Sequence, residues 1–270
     1  MSTPYVIAEA GSCHDGSLEK AREMVQVAKA AGADAVKYQF VSSAERLAER
    51  RHAPEYLDAY RIIQFPDDWH AVLASDCLEA GMDYACTVYL PSDVAIVAPH
   101  VALYKIASFE AGASDLLEAH RPFIKDKKKP LVVSTGMGSD MLLAEIGAFA
   151  HSALADLRVL HCISKYPAPM EALNLAVIRA RDLHGFSDHT GRVVTGSWAV
   201  AAGARMLEVH FRLESTNSAN KDYPHALTPQ RLTEYIGLAR EAASAMGTGI
   251  KQIHPCEADM AKFRVGGPNP

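Results

Sequence analysis

What the chain has little of narrows its nature first. It carries five cysteines in 270 residues, Cys13, Cys77, Cys86, Cys162 and Cys256, and no two stand in a C-x-x-C pair. An odd, scattered set argues against a disulfide framework and points to reduced thiols in the cytoplasm. No apolar run approaches the ~20 residues needed to cross a bilayer, so no membrane span is expected. The opening Met1-Ser2-Thr3-Pro4 has no charged segment leading into an apolar one, so no secretory leader is expected. Positive charge is not in excess either. Lys and Arg number 27 against 32 Asp and Glu, a net charge of −5. That balance argues against a nucleic-acid surface, and an anionic ligand would need a local basic pocket.

What is present is ordinary in amount and regular in order. Hydrophobic residues make up 49% and charged residues 22%, as in a soluble globular protein. The length suits one large α/β barrel or two smaller domains. Short apolar runs recur at Tyr5–Ala10, Ala35–Phe40, Met82–Thr87, Ala102–Ala107, Leu131–Ser134, Leu157–Cys162, Gly185–Ser187 and Arg205–Phe211. Helical spacing fills most gaps between them. Leu18, Ala21, Val25 and Ala28 share one helix face, and Gly32 is placed to end that helix. Asp67 or Asp68 is placed to cap a helix running to Ala80. Further helices are expected from Ser92, over Ser114–Ala119, Met137–Phe149, Leu173–Leu183, Val193–Ala202 and Leu232–Met246. The stretch from Val41 to Pro66, with Arg46, Arg50, Arg51 and His52, reads as a long excursion, a lid or a partner contact. The run Lys127-Lys128-Lys129 reads as a solvated face.

Eight strand–helix alternations in about 245 residues match the rhythm of a (β/α)8 TIM barrel over residues 1–250, with a tail over 251–270. A doubly wound sheet is the runner-up. The barrel accounts better for the polar residues at the strand ends, the face where barrel enzymes build their sites. Glu9, Lys37 with Gln39, Thr87, Lys105 with Ser108, Ser134 with Thr135, Ser164 with Tyr166, Ser187 with His189, and Glu208 with His210 all fall there.

A lysine flanked by apolar residues in mid-strand does not suit a solvated surface. Lys37 and Lys105, with the hydroxyls of Thr87, Ser108 and Ser134, make a phosphate-binding cup. The turn Ser134-Thr135-Gly136-Met137-Gly138 before a helix would add backbone donors. A Schiff-base lysine is the alternative, though the crowd of hydroxyls favours an anion. His189 and His210, at the ends of consecutive strands, are a candidate metal pair, against the plainer reading of hydrogen-bonded structural histidines. With no third ligand evident, such a site would be open to water or substrate. Glu9, Glu110 and Asp222 are either salt-bridge partners of the lysines or groups that bind a polyhydroxylated substrate and move its protons. Tyr166 is a stacking or hydroxyl contact, or simple strand-end packing.

These residues form a pattern. Ile7-Ala8-Glu9-Ala10-Gly11 with His14 and Gly16, Gly32 to Gln39, Lys105-Ile106-Ala107-Ser108, Ser134-Thr135-Gly136-Met137, His161 to Pro167, Ser187-Asp188-His189-Thr190 and Glu208-Val209-His210-Phe211 together resemble the sialic acid synthase family, in order from Tyr5 to about Met246. The resemblance implies a barrel enzyme that condenses phosphoenolpyruvate with an aldehyde to give a keto acid and phosphate, using Mn²⁺ or Mg²⁺. It implies that His189 and His210 hold the metal. It implies that Lys37, Thr87, Lys105, Ser108, Ser134 and Ser187 bind the phosphate or carboxylate. Glu9, Gln39, Glu110, Tyr166 and Asp222 would face the second substrate or the attacking water. It also implies a homodimer.

Three departures fall on the acceptor side. The family usually carries a C-terminal antifreeze-like domain that brings an arginine to the sugar site, whereas here residues 251–270 resemble only its linker. Cys13 stands where the opening motif has Asn, and Val209 where the last motif has Lys. The loop from Arg212 to Tyr223 is unusual. Phosphoenolpyruvate is therefore the firmer expectation, and the acceptor stays open among sugars and sugar-like aldehydes. A Schiff-base aldolase and a non-catalytic binding barrel are the competing readings.

Overall fold

Alternation along eight short strands builds the molecule. The structure is a computed structural model and describes residues 3–125 and 129–266. The strands are β1 (Tyr5–Gly11), β2 (Ala35–Phe40), β3 (Asp83–Val88), β4 (Leu103–Ile106), β5 (Leu131–Ser134), β6 (Leu157–His161), β7 (Gly185–Asp188) and β8 (Met206–His210). Neighbours pair in parallel, and β1 also pairs with β8, so the sheet closes. This is the (β/α)8 barrel, not the doubly wound sheet.

Successive strand residues face opposite sides. One set points outward to the helices: Val6, Ala8, Val36, Tyr38, Tyr84, Cys86, Tyr104, Val133, Phe186, Leu207 and Val209 all join the main core. The other set fills the barrel in layers. Its lower layer is apolar and consists of Ile7, Ala35, Ala85, Leu103, Val132, Leu160 and Met206. Two residues further along the same strands stand Glu9, Lys37, Thr87, Lys105, Ser134, Cys162 and Glu208, all buried. Strand β7 contributes Gly185 below and Ser187 above. A side chain at Gly185 would meet the backbone carbonyl of Met206 at 1.8 Å, so glycine is required there.

The helices follow the expected order with local differences. Leu18–Ala31 is capped by Ser17 and closed by Gly32 in the left-handed conformation. The helix expected from Met137 starts at Asp140, because Met137 itself has a φ of 60°. The helix expected over Leu173–Leu183 shrinks to Ala176–Ala180, between Asn174 and Asp182 with φ of 43° and 48°. The last helix, Pro229–Met246, packs on Leu18–Ala31 and Thr195–Ala201 and covers the junction of β8 with β1.

The excursion after β2 is ordered. It forms the helices Ala44–Arg50 and Leu57–Ile62 around a satellite core of Val41, Ala44, Leu47, Tyr60, Ile63, Tyr89 and Leu90. Of the lysine run, 127 and 128 lie outside the described residues. Lys129 does not merely face solvent: its ammonium donates to the Ala98 carbonyl at 2.9 Å. The tail beyond Gly247 exposes Ile250, Ile253, Met260, Phe263 and Val265.

Candidate functional site

The upper layer of the barrel interior is a sheet of buried charge. The Lys37 ammonium lies 2.6 Å from Glu9 Oε2, donates to Thr87 Oγ1 at 2.9 Å, and stands 3.6 Å from Glu208 Oε2. The Lys105 ammonium donates to Ser134 Oγ at 2.8 Å and to the Ile106 carbonyl at 3.2 Å. It stands 3.7 Å from Glu208 Oε1, which accepts from Ser187 Oγ at 2.8 Å. Gln39 donates to Glu9 Oε1 at 2.8 Å. Charges buried this deeply persist only when paired.

The two carboxyls respond in opposite directions. Burial raises Glu9 above the usual carboxylate range, with Lys37 opposing it. Burial also acts on Glu208, but Lys105 and Lys37 outweigh it and hold that carboxyl low. Burial works against the Lys37 charge, yet Glu208 and Glu9 raise its pKa overall. Lys105, with Lys37 nearby, is lowered by burial. A pair of carboxyls pushed apart in this way supplies one group that stays ionised and one that exchanges a proton near neutrality.

Beside this layer, Ser164 Oγ donates to Ser108 Oγ at 2.7 Å. Because the following helix begins at Asp140, the backbone donors expected at Met137 sit three residues further along.

One strand period above lies the rim. On β7, Ser187 and His189 face inward while Asp188 faces out. Asp188 accepts from the Thr190 amide at 2.8 Å and the Thr190 hydroxyl at 2.7 Å, and also from Thr195. These bonds lock the strand tip to the helix Thr195–Ala201. The His189 Nδ1–H donates to the Ile163 carbonyl at 2.7 Å, which leaves Nε2 free of backbone contact, 3.3 Å from Ser187 Oγ. Tyr166 lies over the His189 ring, centroids 4.2 Å apart.

His210 reaches the rim from β8, with its ring 5.7 Å from that of His189. Its Nδ1 is buried without a hydrogen-bond partner, 4.0 Å from Asp222 Oδ1. His225 has both ring nitrogens buried and unpartnered, with Nε2 3.7 Å from the same oxygen. One ligand atom from each of His210, Asp222 and His225 falls within 4.8 Å of the others. Asp222 is held by the Ser12 amide at 2.9 Å and the Ser12 hydroxyl at 2.8 Å. Gly11 allows this approach: its φ is 53°, and a Cβ there would come within 2.5 Å of Asp222 Oδ2.

Burial keeps these imidazoles neutral. It drives His189 down to about 3, with His210 adding to the effect, and it lowers His210 and His225 as well. Neutral imidazoles beside a carboxylate, with orphaned nitrogens, are the donor set a divalent cation satisfies. The residues present therefore fit a metal through His210, Asp222 and His225, while His189, the other member of the expected pair, stands outside that group with its ring 5.7 Å from that of His210.

The strand-end residues singled out from sequence converge here: Glu9, Lys37, Gln39, Thr87, Lys105, Ser108, Ser134, Tyr166, Ser187, His189, His210 and Asp222. Of the three carboxylates weighed as partners of the lysines, Glu9 is one. Glu110 instead pairs with Arg51. Sequence reasoning left Glu208 unassigned, although it lies one strand period before His210 and so had to face inward with it. It missed His225, and it named Arg51 only as part of the excursion read as a lid or a partner contact; both sit in connections where no periodicity marks them.

A closed barrel with a buried lysine–hydroxyl layer under a histidine–carboxylate cluster has the donors to receive an anion beside a divalent cation. The chain belongs to the NeuB family, which matches residues 24–251. It is 29% identical to a pseudaminic acid synthase of Campylobacter jejuni, over 91% of this chain and 75% of that protein. It is 29% identical to the human N-acetylneuraminate-9-phosphate synthase, over 94% of this chain and 74% of that protein. Among solved structures, spore coat polysaccharide biosynthesis protein spsE of Bacillus subtilis superposes with a TM-score of 0.78 at 26% identity, over 97% of this chain and 78% of that one. A sialic acid synthetase of Leptospira borgpetersenii shares the fold, with a TM-score of 0.86 at 24% identity over 97% and 92%.

Proposed function

We propose that this barrel condenses phosphoenolpyruvate with the aldehyde of a sugar or sugar-like acceptor, giving a 2-keto-3-deoxy acid and inorganic phosphate. The buried Lys37–Lys105–hydroxyl layer directly beneath the histidine–carboxylate rim carries this reading, and the family's sugar-acid synthases support it. Lys37, Thr87, Lys105, Ser108, Ser134 and Ser187 bind the phosphate and carboxylate of phosphoenolpyruvate. Arriving negative charge relieves the crowding of two ammoniums, and the hydroxyls supply further donors.

His189 and His210, with Asp222 and His225 beside them, would hold a divalent cation, Mn²⁺ or Mg²⁺. When bound, it supplies Lewis-acid polarisation of the aldehyde oxygen. Gln39, Glu110 and Tyr166 orient the acceptor. The C3 of phosphoenolpyruvate bonds to the aldehyde carbon as its C=O π bond breaks, the aldehyde oxygen takes a proton from solvent to become a hydroxyl, and C2 becomes electron-poor. Water adds at C2, and Glu9, whose carboxyl burial has raised, takes its proton. Collapse of the tetrahedral centre breaks the C2–O bond to phosphate and leaves the 2-keto group. Lys37 and Lys105 stabilise the departing charge. A homodimer suits the exposed apolar tail, and the free thiols suit a reducing cytoplasm.

The test is phosphate release from phosphoenolpyruvate and Mn²⁺ over a panel of aldoses, N-acylated hexosamines and simple aldehydes. Release is expected only with donor, aldehyde and metal together. Release without aldehyde, or none with any acceptor, would overturn the reading. Glu208 and Glu9 hold Lys37 as an ammonium, which leaves Lys105, lowered by burial, as the lysine a Schiff-base aldolase would use. Borohydride trapping is expected to leave no adduct.

A further inference from the structure

We propose that Arg51 is a positioning residue that sets Glu110 against the acceptor and so governs which aldehyde is taken. The inference rests on the condensation reading above. Arg51 ends the first helix of the excursion after β2. Its guanidinium enters a box of three rings, 5.6 Å from the centroid of Tyr60, 4.7 Å from Tyr89 and 5.3 Å from Phe109. Aromatic faces hold a planar cation in a fixed orientation. Nε and Nη2 both donate to Glu110 Oε1, at 2.9 and 2.5 Å.

One carboxylate oxygen is thereby fixed, and the other is left over. Glu110 is 4% exposed, and its Oε2 is buried with no hydrogen-bond partner. An unpaired carboxylate oxygen in a low-dielectric site needs a donor. Glu110 lies on the turn that carries Ser108, just past Lys105 on β4, and the Lys105 charge acts on it. The missing donor is a hydroxyl or amide N–H of the acceptor, at a position remote from its aldehyde.

The neighbouring arginine provides a contrast. Arg50 makes a two-pronged pair with Asp115, both contacts at 2.7 Å, but Asp115 is 55% exposed and has no orphaned oxygen. Exposed pairs of that kind contribute little. Arg50 and Arg51 are adjacent in sequence and differ in what they hold.

The experiment compares wild type with Arg51→Gln, Arg51→Lys and Arg50→Gln. It reads phosphoenolpyruvate binding by calorimetry, and acceptor KM with the panel sugar that gives the greatest turnover. Arg51→Gln is expected to raise acceptor KM by about tenfold or more, while donor affinity stays within about twofold. Burial raises the Glu110 carboxyl and Arg51 opposes it. The acid limb of kcat/KM for the acceptor should therefore move to higher pH in Arg51→Gln. Arg51→Lys keeps the charge, so it should restore the acid limb but not the KM. Arg50→Gln should match wild type. Unchanged acceptor KM in Arg51→Gln, or an equal loss of donor affinity, overturns the proposal. If Arg51→Gln does not fold, an unchanged acceptor KM in Arg51→Lys does the same. Wild type that binds no phosphoenolpyruvate overturns the condensation reading itself, a result that the variants cannot produce.

Discussion

Two layers of one barrel sit a single strand period apart and are assembled by different means. The lysine layer comes almost wholly from strands, and its charges are matched inside it: Lys37 with Glu9 and Glu208, Lys105 with Ser134 and Glu208. The rim borrows half its groups from connections, Asp222 and His225 after β8 and Arg51 after β2, and it keeps orphaned atoms on His210, His225 and Glu110. The charges of the first layer are paired as folded, although Glu9 Oε2 and Glu208 Oε2 accept no hydrogen bond, whereas the second layer leaves imidazole nitrogens without a hydrogen-bond partner. Disturbing the lysine layer should therefore cost stability as well as phosphoenolpyruvate binding, and disturbing the rim should cost ligand alone.

The sharpest break is Lys37→Met. It leaves buried Glu9 without a cation while Glu208 keeps Lys105 and Ser187, and stability should fall by about 3–5 kcal/mol in denaturant titration, with phosphate release lost. A fall under about 1 kcal/mol would mean the layer is not internally balanced.

Next comes acid. His14, His70 and His120 are buried away from the rim, and burial lowers each to about 4. Unfolding frees them to protonate near pH 6.5, so stability is full above that and drains as pH falls toward 4. Each histidine can cost about 3 kcal/mol across that window. Thermal melts of chelator-treated protein from pH 7 to 4 measure it, and a flat profile would contradict the burial.

A smaller effect is expected from His225→Ala. Mn²⁺ affinity, read as the metal-dependent rise in Tm, should weaken by about tenfold while the metal-free Tm barely moves. The reverse pattern would place His225 with the structural layer. Smallest is Ser164→Ala, which removes one hydrogen bond to Ser108. Phosphoenolpyruvate affinity should drop about two- to tenfold by calorimetry.

The same division explains what could be read from sequence. Ile7 to Glu9, Ala35 to Lys37 and Leu103 to Lys105 each step from an apolar interior position to a charged one at a spacing of two, so strand periodicity exposes the lysine layer. The barrel followed from the order of such strands. The excursion after β2 looked irregular because helices of seven and six residues are too short to display a period. His225 was invisible for another reason. Its loop is placed by bonds from Asn220 to Ser12 and Asp15, more than two hundred residues earlier, and no local spacing encodes them.

The apolar layer of Ile7, Ala35, Ala85, Leu103, Val132, Leu160 and Met206 has one more consequence. It floors the barrel, so traffic uses a single opening and order of arrival matters. On the proposed reading the donor must enter before the acceptor, and phosphate leaves only after the keto acid has cleared the rim. An acceptor that arrives early corks the vessel. Excess acceptor should then inhibit the enzyme, and added phosphoenolpyruvate should relieve that inhibition.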